Sequence, residues 1–224
     1  MPRLCVIRLA IFDCDGTLVD SQHNICRAVE EAFDGARLVP PPRPAIRNIV
    51  GLSLVEAMRI LLPDADNAQH QALADDYKAA FFRLRSTGAM AEEPLYDGMI
   101  DTLEKLRANG WALGVATGKS DRGLMHVLTH HGIIDWFVTL QTADRHPSKP
   151  HPSMIETAMA DAGALAADTV MIGDTSFDMA MARAAGTRAI GVAWGYHPAD
   201  ELIAAGADVI VADVAGLAHA LEAQ

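Results

Sequence analysis

Short apolar runs alternate with amphipathic stretches along most of this chain, and this alternation limits the fold more than any other feature. The helical stretches end at glycines, as at Gly110, Gly132 and Gly163. Because strands that alternate with helices form parallel sheets covered on both faces, the sequence predicts an α/β fold built on a doubly wound parallel sheet. The predicted strands are 9–12, 112–116, 137–140, 169–172, 189–192 and 208–211.

The segment 19–93 interrupts this alternation. It has helical patterns at 24–33, 53–62 and 74–86 but no strand-like run, and prolines at 39–44 indicate a loop inside it. The prolines are also compatible with a linker between separate domains, but the sheet needs strand 9–12 together with the later strands. We therefore expect a helical cap domain at 19–93, inserted into a core domain made of 1–18 and 94–224.

Composition limits the class of protein. A chain of 224 residues that is 50% hydrophobic can bury a full core. Its formal net charge of −11, with no run among its 18 Lys and Arg, argues against nucleic-acid and anionic-membrane partners.

The three cysteines, Cys5, Cys14 and Cys26, lack metal-ligand spacing, so we expect neither a disulfide framework nor a zinc site. We expect a soluble, cytoplasmic protein without a membrane span, and the sequence leaves the oligomeric state open.

Four polar clusters follow four of the predicted strands. Taken singly, each has an ordinary explanation as a helix cap, a turn or a solvated charge. Because ligands of open parallel sheets bind beyond the carboxyl ends of the strands, four clusters at one edge indicate a functional site. The clusters are Asp13 with Asp15, Thr117 with Gly118 and Lys119, Lys149 alone, and Asp174 with Asp178.

The chemistry of these clusters points to a phosphate and a hard cation. Carboxylates packed together need a cation, and an all-oxygen set from Asp13, Asp174 and a backbone carbonyl favours Mg2+. Such an ion also neutralises an incoming phosphate. Lys149 adds positive charge, and the Thr117 hydroxyl with nearby backbone N–H groups completes an anion site.

The two aspartates two residues apart can divide the chemistry. One carboxylate can attack phosphorus and become an aspartyl-phosphate. The other lies on the same side of an extended backbone, where it can protonate the leaving alcohol and then deprotonate the hydrolytic water.

The stretches DCDGTLVDS (13–21), VATGKS (115–120), SKPHPS (148–153) and GDTSFDM (173–179) resemble, in order, the four motifs of the haloacid dehalogenase (HAD) superfamily of phosphatases. With its helical insertion after the first motif, the chain is similar to the phosphoglycolate phosphatase-like branch. The resemblance covers essentially the whole chain and implies a Rossmann-like core. It also implies Asp13 as nucleophile and Asp15 as general acid/base.

The same resemblance implies roles for the remaining motif residues. The implied Mg2+ ligands are Asp13, Asp15 and Asp174, and Asp178 is implied to orient Lys149 or a metal-bound water. Thr117 and Lys149 are implied to stabilise the phosphate and the intermediate. The implied phosphate-binding residues are Cys14, Thr117, Gly118 and Lys149.

Substrate choice is expected to lie in the cap. In related proteins the loop that matches Gly51, Leu52 and Ser53 faces the active site. Arg47 and Arg122 are candidates for binding a substrate carboxylate, and a solvated helix arginine is the alternative reading of each. These features favour a small acidic ester such as 2-phosphoglycolate, and the expected partner is a small phosphorylated metabolite.

Other functions stay open at this stage. A phosphoryl-transferring mutase of the beta-phosphoglucomutase kind and a pyrophosphatase carry similar motifs. Dehalogenation fits less well, because a halide leaves without protonation and needs neither Asp15 nor a metal. A receiver-type phosphoacceptor domain also places acids, a Thr and a Lys around Mg2+, but receivers are small domains without a helical insertion.

Overall fold

The computed structural model describes residues 6–222, and its centre is a six-stranded sheet in which every pair of neighbouring strands is parallel. All six predicted strands are confirmed, with ends that differ from the predictions by two residues or fewer. The strands are β1 (Arg8–Phe12), β2 (Trp111–Thr117), β3 (Phe137–Thr142), β4 (Thr169–Gly173), β5 (Arg188–Val192) and β6 (Val209–Val211).

The strand order places two distant parts of the chain side by side. The order is β3-β2-β1-β4-β5-β6, so β1 lies between β2 and β4. Phe12 is paired with Val115 on one side and with Ile172 on the other. The chain reverses its direction of winding between β1 and β4, and such a switch point opens a crevice at the carboxyl ends of these strands. The predicted doubly wound α/β fold is confirmed.

Ten α-helices lie in the described part of the chain. The first four lie within residues 19–93, and the other six accompany the sheet. They are α1 (Gln22–Gly35), α2 (Arg43–Arg47), α3 (Leu54–Leu61), α4 (Asn67–Ser86), α5 (Met99–Ala108), α6 (Asp121–His130), α7 (Ser153–Ala162), α8 (Ser176–Ala185), α9 (Ala199–Ala204) and α10 (Val214–Glu222).

The two faces of the sheet bury separate hydrophobic clusters because successive strand residues point to opposite sides. On one face, Ala10 and Phe12 belong to a cluster with residues of α5, α6 and α10. On the other, Leu9 and Ile11 belong to a cluster with residues of α7, α8 and α9. All four of these β1 side chains are fully buried, which holds the strand and the residues that follow it in place.

The helices α1–α4 pack around a hydrophobic cluster of their own, which includes Phe33, Ile46 and Met58. Two details differ from the sequence-based expectation. The proline-rich loop gives way to the short helix α2, because Pro44 lies in its first turn, where a proline loses no backbone hydrogen bond. Helix α4 begins at Asn67 rather than at residue 74, because Asp66 and Gln69 form a reciprocal capping box.

No α-helix within residues 6–222 combines the length and the apolar character that a bilayer span requires. Cys14 and Cys26 are buried free thiols, and Cys5 lies outside the described residues.

Candidate active site

Three carboxylates meet where the carboxyl ends of β1 and β4 lie side by side. Asp13 follows β1 and Asp174 follows β4, and the Asp13 backbone N–H donates to the Ile172 carbonyl at 2.9 Å. Asp178, in the first turn of α8, reaches the same place. All three are buried, and each offers an oxygen within 4.8 Å of the others.

A buried lysine lies among these carboxylates. Lys149 Nζ is 2.6 Å from Asp178 Oδ1 and 3.1 Å from Asp13 Oδ1, and its side chain is fully buried. Asp178 is itself held by Thr175, whose backbone N–H and hydroxyl donate to Oδ2 at 3.0 and 2.7 Å. The cluster therefore holds three carboxylates and one ammonium group, which pairs with Asp13 and Asp178, and it has an excess of negatively charged groups.

Burial and the neighbouring charges both shift the pKa values of this cluster. Burial raises the pKa of Asp13 to about 7, with Lys149 opposing the rise and Asp178 and Asp15 adding to it. Burial also raises the pKa of Asp174 well above its usual range, and the charges of Asp13 and Asp178 raise it further. Burial alone would lower the pKa of Lys149, but the neighbouring carboxylates outweigh it and keep the ammonium charged.

One orphaned atom in this cluster fits a metal ion. Asp13 Oδ1 accepts from the Cys14 backbone N–H at 2.6 Å, whereas Oδ2 is buried without a hydrogen-bond partner among the described residues. A buried acceptor without a partner is costly, and oxygen-rich sites of this kind suit Mg2+. Asp13 and Asp174, with Asp178 close by, are the residues that would hold such an ion.

Hydrogen bonds and two glycines closely enclose the side chain of Asp174. Thr17 Oγ1 donates to its Oδ1 at 2.8 Å, and the Tyr196 backbone N–H donates to its Oδ2 at 2.9 Å. A Cβ atom at Gly16, where φ is +84°, would lie 2.2 Å from Asp174 Oδ2. A Cβ atom at Gly195 would come equally close to the Asp174 side chain. Glycine at both positions is therefore a steric requirement of the site.

The carboxylate of Asp15 makes a different set of contacts. Its Oδ1 accepts from the Ser21 hydroxyl and lies 2.6 Å from Lys119 Nζ. Burial would lower the pKa of Lys119, but the charges of Asp15 and Glu93 outweigh it and raise the pKa. The side chain of Asp15 thus forms a buried ion pair, and its predicted metal role would rest on its backbone carbonyl.

The predicted phosphate-binding residues surround the same crevice. Thr117 is fully buried at the end of β2, and its hydroxyl accepts from the Lys119 backbone N–H at 3.2 Å. The backbone N–H of Cys14 is already committed to Asp13, and burial raises the pKa of its thiol. Gly118 lies against the helical segment, which comprises α1–α4 and the loops between them. A Cβ atom at Gly118 would be 2.6 Å from the Gly51 carbonyl oxygen.

The loop between α2 and α3 lies directly over the carboxylates. A Cβ atom at Gly51 would be 3.4 Å from Thr175 Oγ1 and 3.9 Å from Asp13 Oδ2. The Ser53 backbone N–H donates to Ser148 Oγ at 2.9 Å, next to Lys149 in the chain. The structure therefore brings the predicted specificity loop together with the strand-end residues.

Residues that the sequence reasoning missed attach this loop to the sheet. Phe177 packs in one apolar cluster with Ile49 and Leu52. His197 Nε2 lies 3.2 Å from the Asn48 carbonyl oxygen, and the Tyr196 ring contacts the hydrophobic cluster of α1–α4. The aromatic and polar run GYHP after β5 is the only sequence signal for the Tyr196 and His197 contacts.

The two candidate arginines have other contacts. Arg47 Nη1 donates to Gln22 Oε1 at 3.2 Å, and Arg47 lines a cavity of about 460 Å³ together with Asp20 and Arg43. The Arg122 guanidinium stacks on the Phe82 ring, 5.0 Å from its centroid, at the protein surface. Within residues 6–222 no hydrogen bond or ion pair joins either arginine to the carboxylate cluster.

Comparison with known proteins agrees with this geometry. The sequence pattern of the haloacid dehalogenase-like hydrolases matches residues 10–192, a range that contains all four motifs. The chain belongs to this family. Among the relatives of this haloacid dehalogenase-like hydrolase is a probable phosphatase, IndB, of Dickeya dadantii. The two are 39% identical over 219 residues, which cover 95% of this chain and 94% of the relative.

A second relative is the phosphoglycolate phosphatase of Photobacterium profundum, 28% identical over 214 residues that cover 92% of this chain and 91% of that protein. The crystal structure of a predicted phosphatase from Clostridium acetobutylicum superposes with a TM-score of 0.86 at 26% identity, covering 96% of this chain and 98% of that one. The predicted membership of the phosphoglycolate phosphatase-like branch is confirmed, and this hydrolase is a HAD-type phosphatase.

Proposed function

We propose that this hydrolase is a Mg2+-dependent phosphatase that cleaves small phosphate monoesters, 2-phosphoglycolate-like esters in particular, through an aspartyl-phosphate. The observation that carries the proposal is the buried Asp13 carboxylate. One of its oxygens is held by Lys149 and a backbone N–H, and the other has no partner among the described residues, within a cluster of three carboxylates.

In the proposed reaction the two aspartates act in sequence. A carboxylate oxygen of Asp13 forms a bond to phosphorus while the bond from phosphorus to the leaving oxygen breaks. Asp15 gives a proton to that leaving oxygen and the alcohol departs. Asp15 then takes a proton from water, the water oxygen bonds to phosphorus, and inorganic phosphate and free Asp13 are released.

The other motif residues supply positive charge and hydrogen-bond donors. Lys149, held by Asp178, and the Thr117 hydroxyl stabilise the negative charge of the transferring phosphoryl group. Asp13 and Asp174 would hold Mg2+, which would neutralise phosphate charge that the carboxylates otherwise repel. Gly118 provides a backbone group beside the phosphate, and the Cys14 backbone N–H orients Asp13 through its hydrogen bond to Oδ1.

The proposal assigns specificity to residues 19–93 as a cap domain on a core of 1–18 and 94–224. The close approach of Gly51 to Asp13 supports a role for this loop in excluding bulk water from the reacting groups. Because the loop lies this close to Asp13, only a small leaving group would fit beneath it. The relative that is named for phosphoglycolate supports an acidic ester as substrate, and we propose Arg47 as the residue that binds the carboxylate of that ester.

A cytoplasmic location is also part of the proposal. The free, buried thiols of Cys14 and Cys26 fit this location.

The test is a screen of the purified protein with Mg2+, read as phosphate released. The panel holds 2-phosphoglycolate, a neutral alkyl phosphate, 4-nitrophenyl phosphate, a hexose phosphate and pyrophosphate. We expect turnover of the monoesters that stops in excess EDTA, returns with Mg2+ and is inhibited by Ca2+, whose larger and looser coordination misplaces Asp13.

Other outcomes would contradict parts of the proposal in recognisable ways. Full activity in EDTA would exclude the metal role. Conversion of one hexose phosphate isomer into another would point to a mutase, and cleavage of pyrophosphate alone to a pyrophosphatase. A protein that becomes phosphorylated by a small phosphodonor without releasing phosphate would be a phosphoacceptor domain.

A further inference from the structure

Asp15 is held at one of its two oxygens by two donors from different elements. Lys119 Nζ lies 2.6 Å from Asp15 Oδ1, and the Ser21 hydroxyl donates to the same atom. Within residues 6–222 no hydrogen bond reaches Asp15 Oδ2, and Oδ2 is not among the fully buried atoms without a partner. The two oxygens of this carboxylate therefore have different surroundings.

We infer that Lys119 is a positioning residue which, together with Ser21, fixes Asp15 Oδ1 and leaves Oδ2 as the oxygen that carries the proton to the leaving group. The inference rests on the proposed function, because it needs Asp15 as the general acid. Oδ1 already accepts hydrogen bonds from two donors, one of them an ammonium group. A proton on Oδ1 would therefore lie against the protons of both donors.

Burial makes this arrangement rigid. The side chain of Lys119 is 10% exposed and that of Asp15 is 7% exposed, so water cannot readily replace either partner. Ser21 is 1% exposed and lies just before α1. The two donors come from different elements, Lys119 from the turn after β2 and Ser21 from the residue before α1. Their common target fixes the rotation of the carboxyl group between them.

A substrate-binding role is the alternative explanation of a buried lysine near the leaving group. In that case Lys119 would recognise a negative charge on the substrate, and its loss would affect acidic esters alone. In the positioning role its loss affects every ester whose leaving group needs a proton, whatever the charge of that group. The two roles can therefore be separated by the choice of substrates.

The experiment compares Lys119→Met and Lys119→Arg, with Lys105→Met as an exposed-lysine control. Each protein is assayed with 4-nitrophenyl phosphate, glycerol 2-phosphate and 2-phosphoglycolate, and kcat/KM is measured because it reports the phosphoryl transfer from substrate. The readout is the ratio of alkyl to aryl kcat/KM within one preparation, which does not depend on the folded fraction.

We expect Lys119→Met to lower kcat/KM for both alkyl esters by about 100-fold or more and for the aryl ester by less than about 10-fold, because nitrophenolate leaves without protonation. Lys119→Arg should recover part of the alkyl activity, since the guanidinium still donates. In an Asp15→Asn background, Lys119→Met should cost little more. Lys105→Met should match the wild type.

Four results would overturn the inference. Equal losses on all three esters would show that Lys119 does not act through Asp15, and a loss confined to 2-phosphoglycolate would make it a substrate-binding residue. Both leave the phosphatase assignment intact, whereas a wild-type protein without activity on any ester would overturn the proposed function as well. If Lys119→Met fails to fold, Ser21→Ala gives the same ratio from the second donor, and an unchanged ratio there would overturn the inference.

Discussion

The edge of the sheet and the helical segment above it are built in different ways. At the sheet edge, Asp13, Asp174 and Lys149 are fully buried, and strand pairing or hydrogen bonds hold each of them. In the helical segment, Arg47 is partly exposed and bonds a neighbouring glutamine. The comparison teaches that the groups we propose as reacting groups are fixed by the core, whereas the arginine we propose for substrate selection lies where packing constrains it less.

The largest expected effect comes from the sheet edge. Asp13→Asn should reduce kcat by about 10,000-fold or more, because an amide is not a competent nucleophile and the loss of a nucleophile removes the covalent route. Phosphate release measured with 2-phosphoglycolate and Mg2+ checks this.

The matched control is Asp34→Asn, which changes an exposed acid at the end of α1. It should leave kcat within about twofold of the wild type, as is usual for surface substitutions. An Asp13→Asn protein with substantial turnover would remove the proposed contrast between reacting groups fixed at the sheet edge and a less constrained helical segment.

A smaller effect is expected where the two regions touch. A Cβ atom at Gly118 would lie 2.6 Å from the carbonyl oxygen of Gly51 and 2.7 Å from that of Leu52, and backbone atoms cannot step aside as a side chain can. Gly118→Ala should therefore displace the loop and lower kcat/KM by about 10- to 100-fold, since misplacement by about 1 Å has costs of this order.

Gly35→Ala serves as its control, because a Cβ atom at Gly35 meets nothing within 4 Å. That variant should keep the kcat/KM of the wild type. Wild-type kcat/KM in Gly118→Ala would mean that catalysis does not need the loop as close to the sheet as the structure has it.

The smallest effects are expected from substitution of the two arginines, Arg47 in the helical segment and Arg122 in α6 beside the sheet, and they sharpen the comparison between the two regions. Arg47→Ala should reduce the preference for 2-phosphoglycolate over a neutral ester by about tenfold, the value of one charge-assisted hydrogen bond. Arg122→Ala should change that preference by less than about twofold, because its guanidinium is stacked on Phe82. The reverse pattern in kcat/KM ratios would assign the contact to Arg122 instead.

Most of the fold could be predicted because its signals are local. The six strands follow from short apolar runs, and the glycines that end the helices are visible in the sequence. The start of α4 was predicted late because its first turn carries a polar capping box rather than an apolar pattern. Helix α2 was missed because it has only five residues and contains a proline.

The membership of the site could also be predicted, but the contacts within it could not. Position after a strand placed Asp13, Asp15, Thr117, Lys149 and Asp174 at one edge. It did not show that Lys149 bonds Asp178 more closely than Asp13, or that Asp15 pairs with Lys119. Those choices depend on distances between loops that no short stretch of sequence encodes.

The sequence by itself determined the alternation of strands and helices, the four motifs and the types of group that meet at the sheet edge, because these depend on periodicity and on residues near each other in the chain. The tertiary structure decided the rest. Pairing of β1 with β4 set Asp13 against Asp174, and packing of the helical segment set Gly51 against Gly118. Partners such as Lys119 for Asp15 and Phe82 for Arg122 exist only once elements distant in sequence are packed together, since a side chain bonds to what surrounds it in space.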